Sequence, residues 1–154
     1  MRGLAVALAL ALASTAARAA PADDAVATVH QFIDAFNKGD VKAAAATHEP
    51  DAAIIDEVGA HQWHGPGAFQ AWASDLTKDA AANGQTDEGV VLGKTLRAQV
   101  DGDTAYVVTE ATFNYKQRGV ATTEPAQMVF ALKREASGWK IAAWAWSGGA
   151  PRPA

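Results

Sequence analysis

The chain contains no cysteine, which excludes disulfides, thiolate nucleophiles, thiolate metal ligands and an acylated cysteine anchor. Basic residues are scarce: 13 Lys and Arg stand against 17 Asp and Glu in 154 residues, a formal net charge of −4. No Lys/Arg stripe offsets that balance, so phosphate backbones are repelled and nucleic acid is not an expected partner. Long apolar runs are lacking too, apart from one at the N-terminus. There Leu4 to Ala13 gives way to Ser14, Thr15 and Arg18, short of the roughly 20 apolar residues that span a bilayer. The chain also shows no phosphate-binding loop, no Ser-His-Asp order, no Cys/His cluster and no internal repeat.

What is there begins with export. Met1 and Arg2 precede the Leu/Ala run, and Ala17-Arg18-Ala19 has the small-x-small pattern read by signal peptidase. Residues 1–19 therefore read as a secretory signal peptide, cut before Ala20 or secondarily after Ala22. The expected location is secreted or periplasmic, with no membrane attachment after processing. Losing Arg2 and Arg18 lowers the bases from 13 to 11 against 17 acids, a net charge of −6. The remainder suits one domain, expected over residues 23–147. Residues 148–154, Gly-Gly-Ala-Pro-Arg-Pro-Ala, have neither periodicity nor bulk and are expected to form a disordered tail.

Three helices are expected first. Val29, Phe32, Ile33 and Phe36 follow the i, i+3, i+4, i+7 rule behind a cap at Asp23 or Asp24, and Gly39 ends the run. Asp40 caps a short alanine-rich helix through Val41 to Thr47, closed by Pro50. After a strand over Ala53 to Val58 and a short run from Ala60 to His64, Gly65-Pro66-Gly67 opens a third helix. Phe69, Trp72, Ala73 and Leu76 share one side of it, and Asn83-Gly84 stops it.

From Val90 onward the chain reads as an antiparallel meander of Val, Thr, Tyr, Phe and Trp. Turns are expected at Asp101-Gly102-Asp103, in the type I′ form that Asp-Gly favours, at Gln117-Arg118-Gly119 and at Ala136-Ser137-Gly138. Alternation puts Ala105, Val107, Thr109, Ala111, Phe113 and Tyr115 on one face and Tyr106, Val108, Glu110, Thr112 and Asn114 on the other. On the last strand it opposes Trp139, Ile141, Ala143 and Ala145 to Lys140, Ala142, Trp144 and Trp146. Both faces are partly apolar, so a homodimer through the outer face is expected.

The stretch Ala-Ile-Ile-Asp-Glu-Val-Gly at 53–59 holds the strongest chemical candidate, Asp56. A carboxylate flanked by Ile54, Ile55 and Val58 is either turned to water or held in an apolar pocket, where desolvation raises its pKa toward that of a useful base. Glu57, its neighbour, points the other way if the segment is extended. His61 and His64 have HxxH spacing but face opposite sides of a strand, with no third ligand, so no metal site is assigned. His48 reads as a cap at the end of the second helix, where a cation favours the dipole. His30 reads as a surface residue. Trp63, Trp72, Trp144 and Trp146 are candidates to line a cavity for a small hydrophobic or aromatic molecule. Glu110, Asn114 and Gln127 would orient that ligand if they point inward.

Three local patterns, Phe32-x-x-x-Phe36-x-x-Gly39-Asp40, Asp51-Ala52-Ala53-Ile54-Ile55-Asp56 and Gly138-Trp139-Lys140-Ile141, together with the element order, resemble the nuclear transport factor 2-like superfamily and its SnoaL-like members. The resemblance implies an α+β fold, a cone of three N-terminal helices packed on a strongly curved antiparallel β-sheet. It places Asp56 where the ketosteroid isomerases of that superfamily carry their proton-shuttling base. The oxyanion-hole tyrosine of those enzymes falls at Phe32, and their second donor near Val129 or Phe130, so a steroid isomerase is not expected. The functional expectation is an exported small-molecule-binding protein with an internal apolar pocket that Phe32 helps to line. The alternative is an isomerase or lyase with Asp56 as base; neither requires a cofactor.

Overall fold

The computed structural model describes residues 16–154. Helix α1 (Ala16–Asn37) turns Ala25, Val29, Phe32 and Ile33 inward while His30, Gln31 and Asp34 face solvent. Asp23 and Asp24 lie inside this helix instead of capping it, because alanine-rich residues ahead of them already carry the helical backbone. The apolar run of the expected signal, Leu4 to Ala13, lies outside the described residues. No helix among the described residues is long and apolar enough to cross a membrane.

Gly39, at φ +67°, turns the chain out of α1, and Asp40 accepts from the Ala43 amide at 2.9 Å to cap helix α2 (Val41–Ala46). The Asn37 side chain ties the end of α1 to the sheet. Its amide donates to the Val90 carbonyl and accepts from the Val90 N–H, both at 2.8 Å, as a strand neighbour would. Strand β1 (His48–Ile55) starts earlier than the sequence suggested and contains Pro50. Its register slips between His48 and Ala53, and an irregular stretch tolerates a residue without an N–H. Strand β2 (Gln62–Trp63) leads to helix α3 (Ala68–Asn83), which ends at Gly84 in the left-handed conformation, φ +67°.

Strands β3 (Gln85–Asp101), β4 (Thr104–Gln117), β5 (Val120–Glu135) and β6 (Gly138–Gly148) form the meander. The sheet order is β2-β1-β6-β5-β4-β3, with β1 parallel to β6 and every other neighbour antiparallel. The type I′ geometry falls at Arg118-Gly119, where both φ values are positive (50° and 84°), and not at Asp-Gly. Asp101 pairs with Thr104, so Gly102 and Asp103 are the central residues there and only Gly102 has positive φ.

Alternation on β4 holds: Ala105, Val107, Thr109, Ala111 and Tyr115 are buried, while Tyr106 and Glu110 are exposed. On β6 it fails. Leu132 pairs with Ile141 and Ala131 with Ala143, which leaves Ala142 unpaired as a bulge. The extra residue reverses the parity, so Trp139, Ile141, Trp144 and Trp146 all turn to the concave side. The C-terminal residues also differ from expectation. Strand β7 (Arg152–Pro153) pairs with Thr122 and Thr123 of β5, continuing the edge that β6 occupies. Backbone hydrogen bonds from Gly149 to Pro125 and from Ala154 to Ala121 seat the segment, so pairing supplies the order that bulk does not.

The helices pack into the concave face. Phe32, Ile54, Phe130, Leu132 and Ile141 are at most 1 % exposed, each contributing roughly 1.5–3 kcal/mol by removal from water.

Candidate functional site

Beyond this packed layer the cone opens. Helix α1 supplies Phe32, Ile33 and Phe36 to the opening, and α3 supplies Trp72 and Leu76. The sheet adds Val90, Phe113, Met128, Trp144 and Trp146, and the turn after β1 adds Asp56, Glu57 and Val58. The space amounts to about 60 Å³, on the order of four water-sized positions. That fits a molecule of a few heavy atoms, well below the roughly 300–1,000 Å³ of sites for larger ligands.

Asp56 lies in this space, as its position between Ile54 and Val58 suggested. Strand β1 ends at Ile55, and the following turn is closed by hydrogen bonds from the Asp56 N–H to the His61 carbonyl and from the His61 N–H to the Val58 carbonyl. His61 takes a left-handed φ of 63° in that turn. The Trp72 indole N–H donates to Asp56 Oδ2 at 2.8 Å, and the Glu57 amide donates to Oδ1 at 2.6 Å. Burial pushes the Asp56 carboxyl up, against these donors and with a small push from Asp79. The ion pairs among the described residues, Lys78–Asp75, Lys116–Asp87 and Lys133–Glu49, leave Asp56 without a cation.

Glu57 departs from its expected place. Because the chain turns at Asp56, alternation stops, and Glu57 swings onto the mouth of the cavity instead of away from it. There it meets Glu124, a β5 residue only 3 % exposed that accepts from the Trp146 indole at 2.9 Å. Desolvation first, then repulsion from Glu124 and Asp56, raise Glu57 from the ordinary 4.5 to about 7. Glu124 shares the inward parity of Met128, Phe130 and Leu132, and that alternation could have marked it.

Phe32, Trp72, Trp144 and Trp146 line the cavity as expected of them. Trp63 does not; it is buried behind α3 with its indole on Asp75 at 3.1 Å. Glu110 lies on the convex face, where it accepts from the Lys94 amide at 3.3 Å, because even-numbered β4 residues point outward. Gln127 and Asn114 share that outward parity. His61 and His64 are exposed, and no cluster of three potential metal ligands occurs among the described residues. His48 does cap α2, its ring meeting the Ala44 carbonyl at 2.9 Å, but as a neutral group: burial lowers it from 6.5 to about 4.

With this geometry in place, the sequence profile of the SnoaL-like domain matches residues 25–151. The chain belongs to the SnoaL-like domain family. A ketosteroid isomerase-like protein from Erwinia carotovora atroseptica superposes with a TM-score of 0.65 at 20% identity, covering 84% of this chain and 96% of that one. An NTF2-like protein with a cystatin-like fold from Novosphingobium aromaticivorans gives 0.69 at 18% identity, over 89% of each chain. An NTF2-like superfamily protein from Salmonella enterica gives 0.70 at 14% identity, over 86% of this chain and 93% of that one. At such identities the likeness is one of fold. A search of curated protein sequences gives no match. Phe32, Val129 and Phe130 carry no side-chain hydrogen-bond donor.

Proposed function

We propose that the cone takes up a small, mainly apolar organic molecule and that Asp56 exchanges a proton with it, the chemistry of an exported isomerase or lyase. The observation that carries this reading is the Asp56 carboxyl standing among aromatic walls with an indole N–H on one oxygen and no cation beside it. A carboxylate left in that environment is destabilised relative to its acid, which brings its proton affinity toward that of a working base. Proton transfer of this kind needs no electron carrier, so no cofactor is invoked.

The test is deuterium uptake from D2O into the C–H groups beside the carbonyl of butanone, followed by NMR. Asp56→Asn is expected to slow uptake by about two to four orders of magnitude, while butanone still perturbs the fluorescence of Trp72 and Trp144. Equal uptake by wild type and variant would remove Asp56 from the chemistry. A second reading, uptake of a ligand without turnover, is favoured by one feature: both Asp56 oxygens already accept protein hydrogen bonds. It predicts binding of butanone with no deuterium exchange in either protein.

A further inference from the structure

Two carboxyls at the cone mouth converge on one point. A methyl group placed on Gly148 would stand 2.7 Å from Glu57 Oε2, closer still to Glu124 Oε1, and 2.9 Å from the Trp146 indole nitrogen. The chain leaves just enough room there for two carboxyl oxygens and an indole N–H. None of the ion pairs among the described residues includes Glu57 or Glu124. The groups facing Glu57 are Glu124 from β5, Asp56 from its own turn and Asp79 from α3, all acidic. The Tyr115 hydroxyl of β4 is held above its ordinary range by burial, then by the charges of Glu124 and Glu57. Two carboxylates so placed cannot both be charged without a large Coulombic cost, and one shared proton removes it.

We propose that Glu57 and Glu124 hold one proton between them, and that Glu57 delivers it into the cone as the acid that complements Asp56. This rests on the reading of Asp56 as proton acceptor, and it names the substrate class: a small β-hydroxy ketone, which a base and an acid at one cavity can dehydrate. Asp56 takes the proton from the carbon between the two oxygen-bearing carbons, and that C–H electron pair becomes the new C=C bond. The C–O bond breaks with its electrons on oxygen, and the proton from Glu57 completes a water molecule. Transfer of the proton from Asp56 to the Glu57–Glu124 pair, through solvent at the exposed Glu57, restores the starting state. Glu57 is the catalytic acid, and Glu124, which does not line the cavity, is a positioning residue acting through it.

The test has two arms on the full mature chain. In the first, carboxyl carbon NMR follows Glu57 against pH in wild type and in Glu124→Gln. The expected midpoint is about 7 in wild type, returning toward the ordinary carboxylate range in the variant. A midpoint already ordinary in wild type, or one unmoved by Glu124→Gln, overturns the shared proton. Stability gives an independent readout: the native state holds the extra proton between the ordinary 4.5 and about 7, so the contribution of Glu57 to stability falls as pH rises through that window, and the stability difference between wild type and Glu57→Gln falls with it. In the second arm the probes are butanone and 4-hydroxybutan-2-one in D2O. Asp56→Asn is expected to lose both deuterium uptake and water elimination, whereas Glu57→Gln keeps the uptake and loses elimination by at least about tenfold. Elimination by Glu57→Gln at the wild-type rate overturns the acid role. If wild type takes up no deuterium, the base reading fails and the acid role fails with it, while the shared proton is still decided by the first arm.

Discussion

Protonating His48 should unfold part of what holds α2 and β1 together, and the size of the effect follows from its surroundings. The ring is 6 % exposed, between Phe32 (centroids 4.8 Å apart, edge-on) and Phe69 (4.7 Å). One ring nitrogen meets the Ala44 carbonyl and the Thr47 hydroxyl, and the other is buried with no partner among the described residues. A second proton would therefore enter an apolar wall, and the charge of Lys140 adds to the penalty. The folded value drops from 6.5 to about 4, and each unit is worth about 1.4 kcal/mol. Between pH 6.5 and pH 4 the unfolded chain binds the proton that the native chain refuses, so stability is full above the window and falls by about 3 kcal/mol across it. Urea melts of wild type and His48→Asn at half-unit pH intervals would measure this. Asparagine can keep a donor on the Ala44 carbonyl, so its constant cost from lost packing cancels when only the pH dependence is compared. The stability difference between the two proteins should shrink by that amount on acidification. A difference that stays flat from pH 7 to pH 4 would show that His48 accepts a proton freely, and the account of its burial would be wrong.

Gly148→Ala should drive Glu57 and Glu124 apart, because its methyl would occupy the space their oxygens share; the Glu57 midpoint should fall toward the ordinary range, and carboxyl NMR showing no change would refute the convergence. A homodimer is expected through the convex face, where Tyr106 is 41 % and Val91 60 % exposed. Light scattering at low micromolar concentration should give twice the chain mass, and Tyr106→Glu should halve it; a monomeric wild type counts against the idea. Export should leave a mature chain starting at Ala20 or just after Ala22, and N-terminal sequencing of soluble material that still begins at Met1 would exclude a cleaved signal.

Local rules carried far in this chain. The i, i+3, i+4 spacing of Val29, Phe32, Ile33 and Phe36 placed the inner side of α1, and period-2 alternation placed β4, because each rule depends only on backbone geometry that the element keeps. Asp56 was legible for the same reason: it sits one residue beyond the end of β1, near enough for the parity of Ile54 to hold. Glu57 was not, since a turn cancels alternation one residue later. Trp63 and Glu110 show the other limit, for a tryptophan count says nothing about which side of α3 a ring takes, and apolar neighbours do not reveal that a glutamate faces the convex side. Glu124 went unread because its meaning lies in Glu57, 67 positions away in sequence and joined to it only by the closure of the sheet.

The bulge at Ala142 makes β6 behave like a sentence whose meaning depends on one silent letter. Upstream of it odd-numbered residues are dry; downstream, Trp144 and Trp146 carry the dry side on even numbers. Replacing Ala142 by serine leaves that count intact and should be nearly neutral for a half-buried position. Deleting it would remove the bulge and make Ala143 follow Ile141, which leaves the pairs Phe130–Trp144 and Met128–Trp146 as they are and keeps both indoles in the cone. The bulge therefore sets the bend of the strand and the numbering of its dry face, while the pairs on either side of it set which rings enter the cone.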